Sequence, residues 1–427
     1  MLVDFQPPAP NDKCYKLVCR ANDLFERHLY SDAVVEYTKI IQTSASESSN
    51  EFMALLHSNR SASYWQLKQY SKAKDDADRI MELWPTWAKG YFRYAEALMN
   101  LREFDEAITY YKRALEKDPE NGEISARIAK ALLEKDNRAM GLNIIQIMPG
   151  RDIAIKRNFH KPIQNRIYEF AQVMRNIIYI VADEETKHCV VVDACWDIDG
   201  IFQIVEDYGY HIVAAAVTHY HFDHVGGSPP PPYDTLPIKI AGLANVLKRL
   251  PYIKCYVNPQ DIPYIRQANP TIPANRLAST CSDVTETLEI GKTKIRFLPT
   301  PGHTPGSQSL LINDCRLLAG DTLLCGFCGR TDLHGGDKKV MEHTLRHTLG
   351  PLDDRVVVYP GHHYGSEWST VGIERDKGCL GDDLVGFGTG QLMMSNGTSH
   401  THHSNGSATS IASKLSRSWS RSKRTIA

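Results

Sequence analysis

The chain has 427 residues, 42% hydrophobic and 23% charged, and a formal net charge of −1. That length accommodates two or three domains, the composition is that of a globular protein, and the balanced charge gives no case for nucleic acid as a partner. Ten scattered cysteines are no disulfide framework and fit reduced thiols of the cytoplasm. The opening MLVDFQPPAPNDK lacks a targeting pattern, and no apolar run approaches the roughly 18 residues of a transmembrane segment.

Residues 1–135 read as helical repeats. In 88–119, Tyr91, Tyr94, Ala95 and Leu98 sit at helical spacing, and Ala107, Tyr111 and Ala114 restart the pattern before Pro119 ends it. One period of about 34 residues earlier, QYSKA (69–73) answers EFDEA (103–107), and LYSDA (29–33) opens the series, with TSASESSN (43–50) absorbing the excess. Small residues at Ala33, Ala73 and Ala107 let paired helices approach, and stacking buries each repeat's apolar face. The period resembles the tetratricopeptide repeat: repeats over 12–45, 51–85 and 86–119, then a capping helix over 120–135.

Residues 136–165 read as a linker. Over 166–383 the pattern turns to short β-rich runs (RNIIYIVAD, HCVVVDA, HIVAAAVTH, IKIAG, TKIRFLPT, SQSLLIN, CRLLAGD, RVVVYPGH) with helical DIDGIFQIVEDYG (197–209) between them. Strands apolar throughout are covered on both faces, which predicts a layered α/β domain. SPPPPYD carries prolines 229–232, which stiffen a loop. From 384 to 427 the composition is Gly, Ser, Thr, His and Asn with basic residues, expected to be disordered. There Ile411, Leu415 and Trp419 share a helical face, and HTHH (400–403) is assigned no function.

AAAVTHYHFDHVGG (214–227) delivers His219, His221, Asp223 and His224 within six residues after an apolar strand. In extended chain, residues two apart point the same way, so His219 and His221 face one ion while Asp223 and His224 serve a neighbour. Imidazole and carboxylate suit zinc, iron or manganese. Three later strands end in a ligand-type residue beside glycine: His303 in LPTPGHTPGS, Asp321 in LLAGDTLL and His362 in VVVYPGHHYG. No Ser/His/Asp arrangement or phosphate-cradling loop competes.

These motifs resemble the metallo-β-lactamase superfamily and, within it, the glyoxalase II branch. The resemblance implies an αββα domain with one divalent metal on His219, His221 and His303. It implies a second on Asp223, His224 and His362, with Asp321 bridging; His362 is preferred to His363 because it follows Pro-Gly directly. Zinc is expected, with iron or manganese as alternatives. Two such cations activate a water and polarise a carbonyl, and Asp223 orients that water or passes on its proton. Asn176, Asp193, CGFCGRTDLHGGD (325–337) and WSTVGIER (368–375) also resemble these relatives.

Arg330 is the candidate grip for a substrate carboxylate; the alternative is an ion pair with Asp332 that pins the loop. The chain departs from glyoxalase II in lacking its helical C-terminal region, and the shorter form also resembles persulfide dioxygenases, which use one iron in this fold. Cys325 and Cys328 make a C-x-x-C expected to be inert or to line the substrate site. In repeats that clamp the C-terminal carboxylate of heat-shock chaperones, the family's groove residues correspond to Asn22, Asn59, Lys89 and Arg93, while Val18 departs from a lysine. The expectation is thus a cytoplasmic enzyme cleaving a thioester such as a hydroxyacylglutathione. A persulfide dioxygenase, or a chaperone-binding adaptor with a weakly active metal domain, stands as the alternative.

Overall fold

The computed structural model describes residues 13–44, 48–155, 161–231, 238–280, 286–381 and 384, and the chain divides into two compact units between Asp136 and Asn137. The expectations for the opening residues, for Pro232 and for the segment beyond Leu384 lie outside the described residues.

The first unit is helical: α1 (Lys13–Glu26), α2 (Tyr30–Ser44), α3 (Asn50–Gln66), α4 (Tyr70–Leu83), α5 (Ala88–Asn100), α6 (Phe104–Lys117) and the start of α7 (Gly122–Ala139). Each of the first five packs on the next in sequence. The helical hairpins turn alike, through left-handed His28, Lys68 and Arg102, so the repeat in sequence is a repeat of backbone geometry. Ala33, Ala73 and Ala107 are fully or almost fully buried, as close helix approach demands.

The second unit holds two six-stranded sheets. The first runs β1 (Leu142–Ile147), β2 (Ile178–Asp183), β3 (His188–Val192), β4 (His211–Ala216), β5 (Cys255–Val257), β6 (Leu277–Ser279), antiparallel up to β3 and parallel beyond it. The second is formed by β7 (Thr287–Ile290), β8 (Thr293–Pro299), β9 (Gln308–Ile312), β10 (Arg316–Gly320), β13 (Val357–Pro360) and β14 (Ser369–Thr370), with β10 and β13 parallel. A small hairpin, β11 (Leu323–Leu324) with β12 (Phe327–Cys328), lies between them in sequence.

Strand periodicity sorts the layers. Ile178, Ile180 and Ala182 face a core shared with α8 (Pro162–Met174), α9 (Ile198–Asp207), α11 (Leu243–Arg249) and α12 (Ile262–Ala268). Tyr179, on the other face, reaches Pro360 of the second sheet. Behind that sheet, Met341 of α13 (Lys338–His343) and Val371 of α14 (Val371–Asp376) join a core with Leu311, Leu317 and Val358. The order is helix, sheet, sheet, helix.

Two sequence expectations need correction. Residues 142–147, assigned to the linker, form the edge strand of the first sheet, pairing Leu142 with Asp183 through Ile147 with Ile178. LNIIQI is too short and mixed in polarity to announce itself as a strand until β2 supplies its partner. IKIAG, read as a strand, makes only an isolated bridge between Ile240 and Gly227.

Candidate metal centre

Four chain segments bring the site together, each just past a strand. His219 and His221 follow β4, with Asp223 and His224 on α10 (Phe222–Val225). His303 follows β8, Asp321 follows β10 and His362 follows β13. Strands carry the rigidity, and the backbone is free to turn once the ladder ends. Gly361 shows how tightly the turns approach: a Cβ there would sit 2.1 Å from Asp321 Oδ1.

Hydrogen bonds behind the imidazoles fix their tautomers. The Thr218 hydroxyl donates to Asp193 (2.7 Å), so toward His219 Nδ1, 3.0 Å away, it accepts. His224 Nδ1 donates to Asp193 (2.9 Å), His303 Nδ1 to the Arg330 carbonyl (2.6 Å) and His362 Nδ1 to the Met174 carbonyl (2.7 Å). A neutral imidazole carries one proton, so the Nε2 of all four rings is left bare.

Those bare nitrogens converge. His221 Nδ1 lies 3.0 Å from His219 Nε2 and 3.0 Å from His303 Nε2, and His224 Nε2 lies 3.3 Å from His362 Nε2. Nitrogens held about 2.0–2.1 Å from one tetrahedral cation would stand roughly 3.3 Å apart, close to these separations. Asp321 spans both groups: one oxygen is 3.2 Å from His362 Nε2 and 3.4 Å from His303 Nε2, the other 3.6 Å from His224 Nε2. Asp223 is 3.4 Å from His362 Nε2. Asp321 Oδ1 is buried without a hydrogen-bond partner. A buried acceptor that makes no hydrogen bond, set where the imidazoles converge, fits a bound cation.

The electrostatics divide the cluster. Burial, reinforced by neighbouring imidazoles, holds His219 and His221 well below the ordinary histidine value, and burial lowers His303 too. Burial alone would also lower His224, but Asp223, Asp321 and Asp193 outweigh it and lift the ring to about 10; His362 rises for the same reason. Burial would raise Asp321, yet His362 and His224 hold it well below the carboxylate range. One side offers neutral nitrogen ligands and the other surplus negative charge, a combination that suits two divalent ions.

Buried side chains brace the ligand loops. Asn176, fully buried, donates to the Asp223 carbonyl (2.6 Å) and accepts from the Trp196 indole (2.6 Å). Asp261 accepts from the Tyr220 amide (2.9 Å), the Thr304 hydroxyl (2.8 Å) and the Gly306 amide (2.7 Å), tying the His219–His221 loop to the one after His303. Burial lifts the Asp261 carboxyl to about 6 against the pull of these donors. Sequence reading flagged Asn176 and Asp193 through the resemblance but missed Asp261, a lone acid in an unremarkable loop.

A cavity of about 1350 Å³ opens on the cluster. Glu169, Gln172 and Val173 of α8 form one wall; Phe327, Cys328, Arg330 and Leu333 form another, with Pro230 and Pro231 also lining it. Tyr220 stacks on Tyr264 and donates to the His334 carbonyl (2.6 Å). Arg330 lines the cavity while its guanidinium holds Asp332 through two bonds (2.9 and 2.7 Å). Cys325 and Gly326 form the turn of the β11–β12 hairpin, and burial pushes the Cys325 thiol up to about 12, which makes it unreactive.

In the helical unit, three of the four groove candidates gather. Tyr37 donates to Asn22 Oδ1 (2.6 Å), Asn59 Nδ2 is 3.4 Å from the same oxygen, and buried Arg93 donates to Ser58 (2.9 Å) and exerts its charge on Tyr37. The Lys89 ammonium lies 5.9 Å from the Trp87 ring centre.

The metallo-beta-lactamase superfamily model matches residues 172–362, and the tetratricopeptide repeat model matches residues 88–121. A probable polyketide biosynthesis zinc-dependent hydrolase, BaeB, of Bacillus velezensis is 28% identical over 206 residues, 48% of this chain and 80% of that protein. The human mitochondrial persulfide dioxygenase ETHE1 is 27% identical, covering 48% and 71%. The hydroxyacylglutathione hydrolase of Dictyostelium discoideum is 29% identical, covering 44% and 62%. No helix among the described residues is long and apolar enough to cross a membrane.

Proposed function

Residues 172–362 form a metallo-beta-lactamase superfamily domain behind a tetratricopeptide repeat segment, and on that premise we propose a metal-dependent hydrolase cleaving a thioester such as a hydroxyacylglutathione. The observation that carries the reading is the buried Asp321 oxygen without a partner, set among converging bare imidazole nitrogens.

His219, His221 and His303 would hold one divalent ion, Asp223, His224 and His362 would hold a second, and Asp321 would serve both. Zinc suits the histidine-rich set, with iron and manganese as alternatives. Bound there, the pair supplies a hydroxide at neutral pH and polarises a carbonyl. The protein's own part is orientation. Asp193, Thr218 and the Met174 and Arg330 carbonyls set the rings, and Asp223, its backbone fixed by Asn176, is placed to orient water and move its proton. Arg330, if released from Asp332, takes a substrate carboxylate.

The persulfide dioxygenase reading draws on a relative of nearly equal identity and calls for a single iron. In the helical unit, we assign Asn22, Asn59, Lys89 and Arg93 to a peptide C-terminal carboxylate such as a chaperone's, supported by the gathering of Asn22, Asn59 and Arg93. The described cysteines are free thiols, which fits the cytoplasm.

Metal analysis of the purified chain, with assays of S-lactoylglutathione hydrolysis and of persulfide-dependent oxygen uptake, tests the reading. Two metals and thioester turnover, both reduced in His221→Ala, are expected. One iron with oxygen consumption selects the dioxygenase, and bound metal with neither activity leaves the fold standing and sends the substrate search elsewhere.

A further inference from the structure

The α8 wall ends at Arg175, which caps the helix in the left-handed conformation, φ 56° and ψ 25°, a conformation that Lys68 and Arg102 also adopt after α3 and α5. Glycine takes it at no steric cost. The side chain is exposed and lines the cavity over the metal cluster. Among the described residues no carboxylate pairs with its guanidinium, whereas the cavity's other arginine, Arg330, is held bidentately by Asp332.

Its backbone is also rigidly placed. The Arg175 amide donates to Ala171 and its carbonyl accepts from His363 (2.9 Å). The preceding carbonyl, of Met174, accepts from both His362 and Tyr364, and the following residue, Asn176, fixes the Asp223 backbone. The backbone that carries this side chain is therefore fixed beside the second ligand group, on the α8 side of the cavity.

We propose that Arg175 is the anion-recognition residue of this cavity, selecting substrates that carry a carboxylate on the arm lying against α8. The proposal rests on the reading of the cavity as a substrate site and narrows the substrate class. Arg330 is held by Asp332 in this structure, and the carboxylate on the α8 arm goes to Arg175 rather than to it.

The probes are S-hexylglutathione and its diethyl ester, identical except that the ester has both carboxylates blocked. Calorimetric titration of the full chain compares wild type, Arg175→Gly and Arg175→Lys, with melting temperatures recorded alongside. Wild type is expected to favour the acid by about ten-fold or more, the worth of one charge-assisted bidentate contact. Arg175→Gly brings that preference to about one while melting at the same temperature or higher, because glycine suits the left-handed cap. Arg175→Lys keeps part of it.

An unchanged preference in Arg175→Gly, no acid preference or no acid binding in wild type, or a markedly lower melting temperature in Arg175→Gly overturns the proposal. The last outcome would make the arginine a structural cap. Arg175-dependent binding without thioester turnover discards the hydrolase reading and leaves this one standing; turnover with an Arg175-independent preference does the reverse.

Discussion

The two units bury polar side chains in different ways. In the helical unit Asp76, 5% exposed, is saturated by its own neighbours: His57 at 2.7 Å and Arg60 at 2.8 and 2.7 Å, with Arg60 also reaching Thr38. In the second unit five imidazoles and two carboxylates face one another with nothing to complete them. Of the three buried side-chain atoms without partners among the described residues, Trp65 Nε1 and Arg296 Nε are isolated donors, while Asp321 Oδ1 sits at the focus of that cluster. A network closed on itself serves the fold, whereas one left open at its centre is shaped for something else.

The sharpest way to test that contrast is Asp321→Asn. Turnover is expected to fall on the order of 10³-fold, since metal-derived stabilisation is worth several kcal/mol, with bound metal reduced by elemental analysis and the metal-free protein still folded. Asp76→Ala should do the opposite, costing about 1–3 kcal/mol in chemical denaturation by leaving buried His57 and half-buried Arg60 without their partner, while leaving metal content intact. If Asp76→Ala strips metal, or Asp321→Asn unfolds the metal-free chain, the contrast fails.

A pH series on metal-free protein probes the brace between the ligand loops. In the folded chain burial raises the Asp261 carboxyl to about 6, against 3.8 for an ordinary aspartate. Between those values the folded state binds more protons than the unfolded one, so the group's contribution is full below about 4 and is lost as pH rises through about 6. Stability of wild type minus that of Asp261→Asn should drop by about 3 kcal/mol across the window, at 1.36 kcal/mol per unit, and stay flat above it. A difference that does not change with pH means the three donors hold Asp261 ionised throughout. The mildest change is Asp193→Asn, which loosens His224 directly and His219 through Thr218 and should lower metal affinity by roughly 10–100-fold. Competition with a chelator reads this out; unchanged affinity would remove Asp193 from the support of the centre.

Much of this was legible in the sequence, for reasons that can be stated. The repeat period shows because each hairpin reuses one turn and one small-residue contact, at Ala33, Ala73 and Ala107. The seven residues proposed as ligands stand out because they cluster just past apolar strands, where side-chain identity carries the signal. What stayed hidden acts through the backbone or through distant partners. The Met174 and Arg330 carbonyls that set two histidines have no residue-type signature. The edge strand Leu142–Ile147 is defined by pairing with β2, and Asp261 by donors more than forty positions away on either side. The left-handed cap at Arg175 belongs to the same class, because a dihedral angle is not written in a side chain.

The bond from His303 to the carbonyl of Arg330 has a mechanical consequence. The residue whose side chain faces the cavity also supplies, through its peptide oxygen, the pivot of a histidine in the cluster. A force applied to the loop at 329–333, by a ligand or by a neighbouring mutation, is passed to that ring without crossing the cavity. Exchanging this loop for a relative's would therefore alter reactivity along with selectivity, and a graft that matched every side chain but shifted one carbonyl would still change the centre.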